Sequence, residues 1–310
     1  MPDRWVVEVP AWGQRCVEST IRYGLPSLKA AMSHSPGEYR FLVHTDAPEI
    51  LTPHFEGLSA EFRVVPESKD DHHALGNCHR AAIEYATPGD YVVPGTGDIV
   101  YSREVFSSMS KRFAEGKKLI ICAASRCLLQ DWEPPIGATA EKLLDWTMAN
   151  RHPTIRELFW GTGTSGCPWC LYFKTDHGII LRGLHLHPLG VVKRAGLKFH
   201  GVNVDETLAS EFSRDDIHVV TAKEELALAE LSPPDRLFAL YNTPIDVKRV
   251  FKWAVEHSNR RHHWLFSHRI VIQGTDKGIS DIAPCNHILE KLKFTRIFCY
   301  GTETPEDVVA

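Results

Sequence analysis

The sequence lacks the features that mark membrane-spanning, secreted and nucleic-acid-binding proteins. No apolar run approaches the roughly 20 residues that cross a bilayer, and residues 1–13 have neither the basic start nor the long apolar centre of a signal peptide. Basic residues are not in excess, because 35 Lys and Arg stand against 39 Asp and Glu, a formal net charge of −4. We therefore expect a cytoplasmic protein that neither crosses a membrane nor binds nucleic acid.

Several catalytic signatures are also missing. The chain contains no GxSxG, no HExxH and no Walker-type phosphate loop. These absences argue against a serine hydrolase of the nucleophile-elbow type, a zincin and a P-loop nucleotide hydrolase. The chemistry must therefore be sought in less specific patterns.

The cysteines have no disulfide-framework spacing, and a chain of 310 residues does not need covalent staples. We expect most of the eight to be reduced and buried. Cys167 and Cys170 are three residues apart, a spacing that suits zinc, a redox pair or two ordinary buried thiols. No second CxxC or HxxxH supplies further zinc ligands, and His177 or His185 would serve only if the fold brought them close.

Short β-branched runs alternate with amphipathic stretches along the first third of the chain. This alternation predicts an α/β fold with a Rossmann-type, mostly parallel sheet flanked by helices. The predicted strands are 5–9, 39–44, 61–65, 91–93, 99–101, 118–123, 171–173, 178–181, 184–189 and 217–220. The predicted helices are 15–32 with a break at Pro26, 70–86, 103–115, 138–149, 154–159, 206–212 and 223–230. A final helical region starts at 249–255 and continues through 258–269, and the chain closes with 286–294.

No internal repeat, low-complexity tract or linker interrupts the chain, and 43% of the residues are hydrophobic. That content is enough for one large core. We expect a single domain whose nucleotide-binding part is residues 1–220 and whose C-terminal helical elaboration, on the acceptor side, is residues 221–310.

The most informative stretch is Gly89–Phe106, GDYVVPGTGDIVYSREVF. An apolar strand breaks into a glycine-rich turn that ends on Asp98 and then resumes as Ile99-Val100-Tyr101. A strand that ends in such a turn presents an acid at the rim of a sheet, where ligands bind. The alternative is an aspartate that only caps the turn.

Other candidate ligand-binding residues follow strands one and two or lie on the helix before Asp98. Pro10 and Trp12 lie in the turn after the first strand, where Trp12 either stacks on a base or packs in the core. Thr45 and Asp46 end the second strand, where an acid contacts ribose or base, or forms an Asx turn. Arg80 offers a cation to a phosphate.

The segment Leu184–Leu189 alternates leucine with histidine. On a strand, this pattern places His185 and His187 on one face, where they suit a metal or phosphate site, or the wet face of an edge strand. Asp205, in the turn 201–206, is a candidate base for a hydroxyl acceptor. The basic, histidine-rich segment 257–269 either binds an anion or forms a solvated helix end.

Together these residues resemble GT-A-type nucleotide-sugar glycosyltransferases, of a poorly characterised kind found in bacterial polysaccharide gene sets. The likeness covers Trp12-Gly13, Leu25–Leu28, Thr45-Asp46, Gly89–Phe106, His185–Leu189 and Val204-Asp205. It implies a nucleoside-diphosphate-sugar donor, a glycan or other hydroxyl acceptor, and nucleotide contacts from Thr96 and Gly97. Asp98 and His187, with His185 as a further candidate, would hold Mn²⁺ or Mg²⁺. Thr96-Gly97-Asp98 stands in the place of the family's Asp-x-Asp, so one of the two carboxylates that bind the metal in that family is missing here.

Two alternatives stay open. The missing first acid is also expected in a GT-A-like protein that binds nucleotide or glycan without turnover. A metal-dependent hydrolase would require His72 and His73 to converge in space with His185 and His187. The sugar, the acceptor and the stereochemical outcome do not follow from residue types.

Overall fold

The computed structural model describes residues 3–129, 133–197, 199, 204–234, 239–275 and 283–293. Within these residues the strands are β1 (Asp3–Ala11), β2 (Gly37–Thr45), β3 (Ser59–Arg63), β4 (Tyr91–Val93), β5 (Ile99–Tyr101), β6 (Leu119–Cys122), β7 (Ala124–Leu128), β8 (Cys170–Thr175), β9 (Gly178–Gly183), β10 (His187–Val192), β11 (Ile217–Val219), β12 (Leu228–Ser232) and β13 (Ile270–Gly274).

The α-helices of the described residues are α1 (Gln14–Ser19), α2 (Leu25–Met32), α3 (Pro48–Leu51), α4 (Asp71–Tyr85), α5 (Val105–Ala114), α6 (Ala140–Ala149), α7 (Pro153–Arg156), α8 (Val204–Thr207), α9 (Val247–His257), α10 (Arg260–Phe266) and α11 (Ala283–Lys293). A π turn spans Thr20–Gly24, and 3₁₀ turns span Thr52–Phe55 and Leu208–Glu211. None of the helices in this described part is long and apolar enough to cross a bilayer.

The chain divides into two compact units, each assembled from several segments. Unit 1 contains Met1–Ile121, Pro134–Thr139 and His187–His218, and unit 2 contains Cys122–Glu133, Ala140–Leu186 and Val219–Ala310. The chain thus passes between the units several times. The domain boundary at residue 220 stays a prediction.

The central sheet of unit 1 has seven strands in the order β11-β6-β10-β4-β1-β2-β3 in the described chain. β1 lies parallel to β2 and β4, and β2 lies parallel to β3. β10 runs antiparallel to β4. The predicted α/β fold with a mostly parallel sheet flanked by helices is confirmed.

The two faces of β1 carry different chemistry. On one face the Trp5 ring is fully buried and meets Phe106 of α5 edge to face, with ring centroids 5.0 Å apart. Because side chains alternate along a strand, Glu8 points to the other face. There α4 brings His79 to within 3.8 Å of the Glu8 carboxylate. One face is therefore an apolar core, and the other buries a polar cluster.

The predicted break at Pro26 is wrong in its position, because the irregular part of this helical stretch is a π turn that precedes Pro26. Helical structure continues from Gln14 to Met32, but Thr20–Gly24 widens to π geometry before α2 begins at Leu25. Pro26 sits in the first turn of α2, where its missing N–H is not needed. π turns of this kind are frequent at functional sites.

In unit 2, β8, β9 and β13 form an antiparallel sheet, and β7 pairs in parallel with β12. The core contains Leu171 and Phe173 of β8 and Ile180 of β9. Val250 of α9 and Phe266 of α10 pack into the same core, as does α11 through Cys285, Ile288 and Leu292. The described residues after 220 contain strands β12 and β13 as well as helices α9 to α11, and the C-terminal elaboration of 221–310 stays a prediction.

Two predicted elements are wrong. Residues 184–189 do not form one strand, because the chain bends at Leu184-His185 and β10 begins only at His187. Residues 223–230 do not form a helix, since a turn at 223–225 leads into β12. The predicted strands in 5–101 and the long helices are confirmed, with ends shifted by a few residues.

Candidate functional site

The carboxyl ends of β1, β2 and β4 meet at one edge of the unit 1 sheet. Ala11 at the end of β1 lies opposite Thr45 at the end of β2. The loop 94–98 that follows β4 then passes directly against β1. A Cβ on Gly95 would lie 2.2 Å from the Glu8 carbonyl oxygen, and one on Gly97 would lie 2.4 Å from the Pro10 carbonyl oxygen. Both positions therefore require glycine.

The π turn anchors this loop. Thr20 donates a hydrogen bond from Oγ1 to the Gly97 carbonyl oxygen at 2.8 Å, and the bond is buried. A backbone held in this way on β1 gives Asp98 a defined position at the sheet edge. Asp98 itself is partly buried.

Two carboxylates gather at the end of β1. Burial, with smaller contributions from the negative charges of Asp98 and Asp46, raises the pKa of the Cys16 thiol to about 12. Asp46 also accepts the Gly13 N–H, with donor-acceptor distances of 3.2 and 3.1 Å to its two oxygens. Trp12, which directly precedes Gly13, is partly exposed. Pro10, Trp12, Asp46, Gly97 and Asp98 are thus brought to one edge.

Thr45 and Thr96 have inward-facing hydroxyls. Thr45 Oγ1 accepts the Ala47 N–H at 3.0 Å and so shapes the turn that carries Asp46. Thr96 Oγ1 is buried, has no hydrogen-bond partner among the described residues, and lines a small cavity with Glu8 and Thr20. The position that resembles the family's first acid therefore faces the interior of unit 1.

Arg80 lies on α4 and contacts protein groups. Its Nε donates to the Phe199 carbonyl oxygen at 2.9 Å, and Nη1 donates to Asn77 Oδ1 at 3.0 Å. These bonds fix the chain near residue 199 against α4. A phosphate contact by Arg80 stays a prediction.

His187 and Asp205 form a pair in unit 1. His187 Nδ1 lies 3.3 Å from Asp205 Oδ1. His187 is the first residue of β10, and Asp205 lies in the first turn of α8. The His187 side chain is 8% exposed and that of Asp205 is 32% exposed. His187 Nε2 is buried without a hydrogen-bond partner in the part of the chain that is described. The carboxylate is therefore the accessible member of the pair.

The predicted pairing of His185 with His187 on one strand face is wrong. His185 belongs to unit 2, where its Nε2 lies 2.7 Å from the His257 carbonyl oxygen. Its ring packs against Trp253 and His262, with centroids 5.1 and 4.6 Å away. His185 has a local packing role, whereas His187 faces Asp205.

Sequence reasoning missed a buried polar cluster on the α4 face of β1. Its members are Glu8 of β1, His44 of β2, and Cys78 and His79 of α4, each 1% exposed or less. Burial raises the pKa of Glu8, against a smaller opposing effect of the Gly95 backbone, and burial lowers the pKa values of His44 and His79 to about 4. The available signal was a glutamate inside the otherwise apolar run Trp5–Ala11.

The remaining candidate groups are dispersed. His73 bonds Asp70 at the start of α4 through Nδ1 at 2.7 Å, and His72 is exposed. Cys167 and Cys170 are free thiols, and burial raises the pKa of Cys170. Cys299 and the predicted turn residues 201–203 lie outside the described residues. The metal-dependent hydrolase alternative required His185 and His187 to lie together on one strand, and the structure separates them.

No protein-family model matches the sequence, and no curated protein is detectably similar to it. Solved structures with a partly similar fold include S. aureus TarS, 14% identical with a TM-score of 0.33 over 43% of this chain and 23% of that chain. A complex of S. aureus TarS 1-349 with UDP is 14% identical, with a TM-score of 0.33 over 43% of this chain and 38% of that chain. The 4-diphosphocytidyl-2C-methyl-D-erythritol synthase of Anaerococcus prevotii is 13% identical, with a TM-score of 0.29 over 42% of this chain and 60% of that one. Each match covers less than two thirds of the solved chain.

Proposed function

We propose that the protein is a glycosyltransferase that moves a sugar from a nucleoside diphosphate to a hydroxyl acceptor. The observation that carries this proposal is the meeting of Asp98, Asp46 and Trp12 at the carboxyl edge of a parallel sheet, where Gly95 and Gly97 let the Asp98 loop pack against β1. Ligands of doubly wound α/β sheets bind at this edge. The partly exposed Trp12 ring supplies a surface for a nucleotide base.

The donor set suits a hard divalent cation that is shared with substrate. Mg²⁺ is commonly held by one or two carboxylates together with substrate phosphates. Asp98 is the carboxylate that would hold Mg²⁺ or Mn²⁺ beside the diphosphate. Such a cation supplies charge neutralisation for the leaving group. The family that this chain resembles has a further carboxylate at the position of Thr96. Here that position carries a hydroxyl whose oxygen is buried, so it offers no carboxylate to the cation.

The transfer itself needs a base for the acceptor. The acceptor oxygen forms a bond to the anomeric carbon, while the bond from that carbon to the diphosphate oxygen breaks and its electron pair leaves with the nucleotide. Asp205 takes the hydroxyl proton, and His187, 3.3 Å away, orients its carboxylate. A ligand role for His187 would use Nε2, the ring nitrogen that does not face Asp205.

A second candidate function is nucleotide or glycan binding without turnover. It is favoured by one observation, the buried Thr96 hydroxyl in the place of an acid. The two functions share the same binding edge and differ in transfer and donor hydrolysis. Retained nucleotide binding with neither reaction would select the binding function.

The test is the thermal stability of the full chain with a panel of nucleoside diphosphates and nucleotide sugars, with and without Mn²⁺. Ligand at about 100 times its dissociation constant stabilises the folded state by about 2.7 kcal/mol. We expect a selective shift that Asp98→Asn abolishes and that the exposed, matched Asp71→Asn retains. A wild-type protein that responds to no nucleotide would refute the proposal.

A further inference from the structure

The buried cluster between β1, β2 and α4 has the composition of a metal site. Glu8 offers a carboxylate oxygen, His44 a ring nitrogen and Cys78 a thiol sulfur, and one such atom from each residue lies within 4.8 Å of the others. It is the one such group of three donors found in the described part of the chain. The residues come from three different elements, so their convergence is produced by the tertiary fold.

The distances suit a shared cation better than direct hydrogen bonds. His44 Nδ1 lies 3.8 Å from Glu8 Oε1, which is longer than an N–H···O hydrogen bond. Zinc ligands lie about 2.0–2.3 Å from the metal, which places neighbouring donors of a tetrahedral site about 3.3–3.8 Å apart. For an imidazole nitrogen and a carboxylate oxygen this edge is about 3.3–3.5 Å, so the 3.8 Å between His44 and Glu8 is slightly longer than the edge and would shorten when zinc binds.

The polar atoms of this cluster have few hydrogen-bond partners in the described part of the chain. Both Glu8 carboxylate oxygens and His44 Nδ1 are buried without a well-formed hydrogen bond among the described residues, and the Gly95 backbone affects the pKa of the carboxylate less than burial does. Buried polar groups are normally paired, since a group left without a partner loses its hydration and gains nothing in return. One cation would satisfy all three atoms at once.

The donor types select among metals. Thiolate and imidazole ligands favour zinc, whereas Mg²⁺, Ca²⁺ and Mn²⁺ prefer oxygen donors. This set is also distinct in chemistry from the Asp98 edge, which offers carboxylate oxygen alone. We propose that Glu8, His44 and Cys78 bind a zinc ion inside unit 1 and tie β1, β2 and α4 together.

His79 has a supporting role in this site. Its Nε2 lies 3.0 Å from the Gly95 carbonyl oxygen and 3.8 Å from Glu8 Oε2. The first distance is a hydrogen bond and the second is not, so His79 holds the Gly95 backbone beside the cluster and does not bond the Glu8 carboxylate directly. Zinc at this position therefore stabilises the strand and helix that flank loop 94–98, and its main role is structural because the ligands are fully buried.

The test measures metal content in the full chain, expressed in zinc-supplemented medium and dialysed. Elemental analysis should find about one equivalent of zinc, as for a folded structural site. Cys78→Ser should lower zinc affinity by more than about 100-fold, since loss of even an outer-shell group costs about 10- to 100-fold. Cys285→Ser is the matched control, because Cys285 is an equally buried thiol in unit 2.

Cobalt gives a second readout that depends on sulfur ligation. Protein loaded with Co²⁺ should show thiolate-to-cobalt charge-transfer absorption in the near ultraviolet, which Cys78→Ser removes and Cys285→Ser keeps. If Cys78→Ser does not fold, Glu8→Gln tests the same site with an isosteric side chain. A buried acid without metal tolerates the amide, whereas a metal-binding carboxylate does not.

Three results would overturn the proposal. These are wild-type protein that holds no zinc, Cys78→Ser and Glu8→Gln variants that both keep wild-type zinc content, and cobalt spectra that Cys78→Ser leaves unchanged. Loss of zinc in the Glu8 or Cys78 variant, with zinc retained by Cys285→Ser, supports it. Neither set of outcomes depends on nucleotide binding.

Discussion

Single residues set the geometry of the candidate edge. Gly97 has no room for a side chain, because its Cβ would meet the Pro10 carbonyl oxygen at 2.4 Å, Cys16 Sγ at 2.5 Å and Thr20 Oγ1 at 2.8 Å. The Pro10 oxygen belongs to β1, whereas Cys16 lies on α1 and Thr20 lies in the π turn. The loop that carries Asp98 therefore lies against β1 only because this residue is glycine.

Gly97→Ala should consequently lower the free energy of unfolding by about 1–3 kcal/mol, the usual effect of overpacking a buried site. It should also weaken nucleotide binding, since the Asp98 loop must move. Urea denaturation of the wild type and the variant measures the first effect. An unfolding free energy equal to that of the wild type would show that the loop does not pack as described.

A second residue-scale prediction concerns pH. Burial, with a smaller contribution from the positive charge of Arg260, lowers the pKa of His263 to about 3. His263 Nε2 lies 2.9 Å from Ser258 Oγ, and Ser258 donates its hydroxyl proton to the Ala254 carbonyl. The imidazole thus donates from Nε2, and buried Nδ1 has no partner for a second proton among the described residues.

The direction of the pH effect on stability follows from proton uptake by the unfolded chain. Between pH 6.5 and about 3 the unfolded chain binds a proton at His263 that the folded chain does not, so stability falls as pH falls below 6.5. We expect a loss of about 2–3 kcal/mol between pH 7 and 4.5 from this residue. His263→Gln should remove that part of the slope, and exposed His54→Gln should keep it. Equal slopes in wild type and His263→Gln would contradict the assignment.

At the scale of elements, α10 depends on its first turn. Asn259 accepts the His262 N–H at 3.1 Å through Oδ1, and the His262 ring accepts the Asn259 N–H at 3.1 Å, which completes a capping box. The residues that follow, Arg261 to His263, are buried. A lost cap therefore affects the core of unit 2 as well as the helix end.

Asn259→Ala should destabilise the protein by about 1–2 kcal/mol. Asn259→Ser keeps a side-chain oxygen at the cap and should recover most of that loss. Thermal denaturation of the two variants provides the comparison. If alanine and serine destabilise equally, the capping bond is not the source of the effect.

Most strands and helices follow from local sequence patterns, but residues 223–230 do not. The strands of the first hundred residues follow from local β-branched runs, and α4 follows from its apolar period and its Asp70 cap. Residues 223–230 have strong helix formers, yet Leu228–Ser232 pairs with β7 and Glu230 meets Arg126 at 2.8 Å. A tertiary partner a hundred residues away thus overrides local propensity.

The same contrast between local signals and tertiary contacts applies to the residues of the candidate site. Asp46, Gly97 and Asp98 are predictable because strand ends and glycine turns are local signals. His185 meets Trp253, His257 and His262 only in the folded chain. Likewise the cluster of Glu8, His44 and Cys78 draws on three elements, so no spacing in the sequence reveals it.

At the scale of the whole molecule, the candidate edge and the buried cluster both belong to unit 1. They use the same β1 strand, since Glu8 lies two residues before Pro10 and lines the same small cavity as Thr96. A protein that loses the cluster should therefore also lose nucleotide binding through the loop. The reverse does not hold, because Asp98 contributes no ligand to the cluster.

The most direct test of the central claim is hydrogen exchange of the full chain with and without the nucleotide that stabilises it most. We predict added protection in three segments, 10–16, 44–47 and 94–99, which meet at the carboxyl edge of β1, β2 and β4, and loss of that protection in Asp98→Asn. Protection that spares all three segments, or that Asp98→Asn leaves intact, would contradict a nucleotide site at this edge.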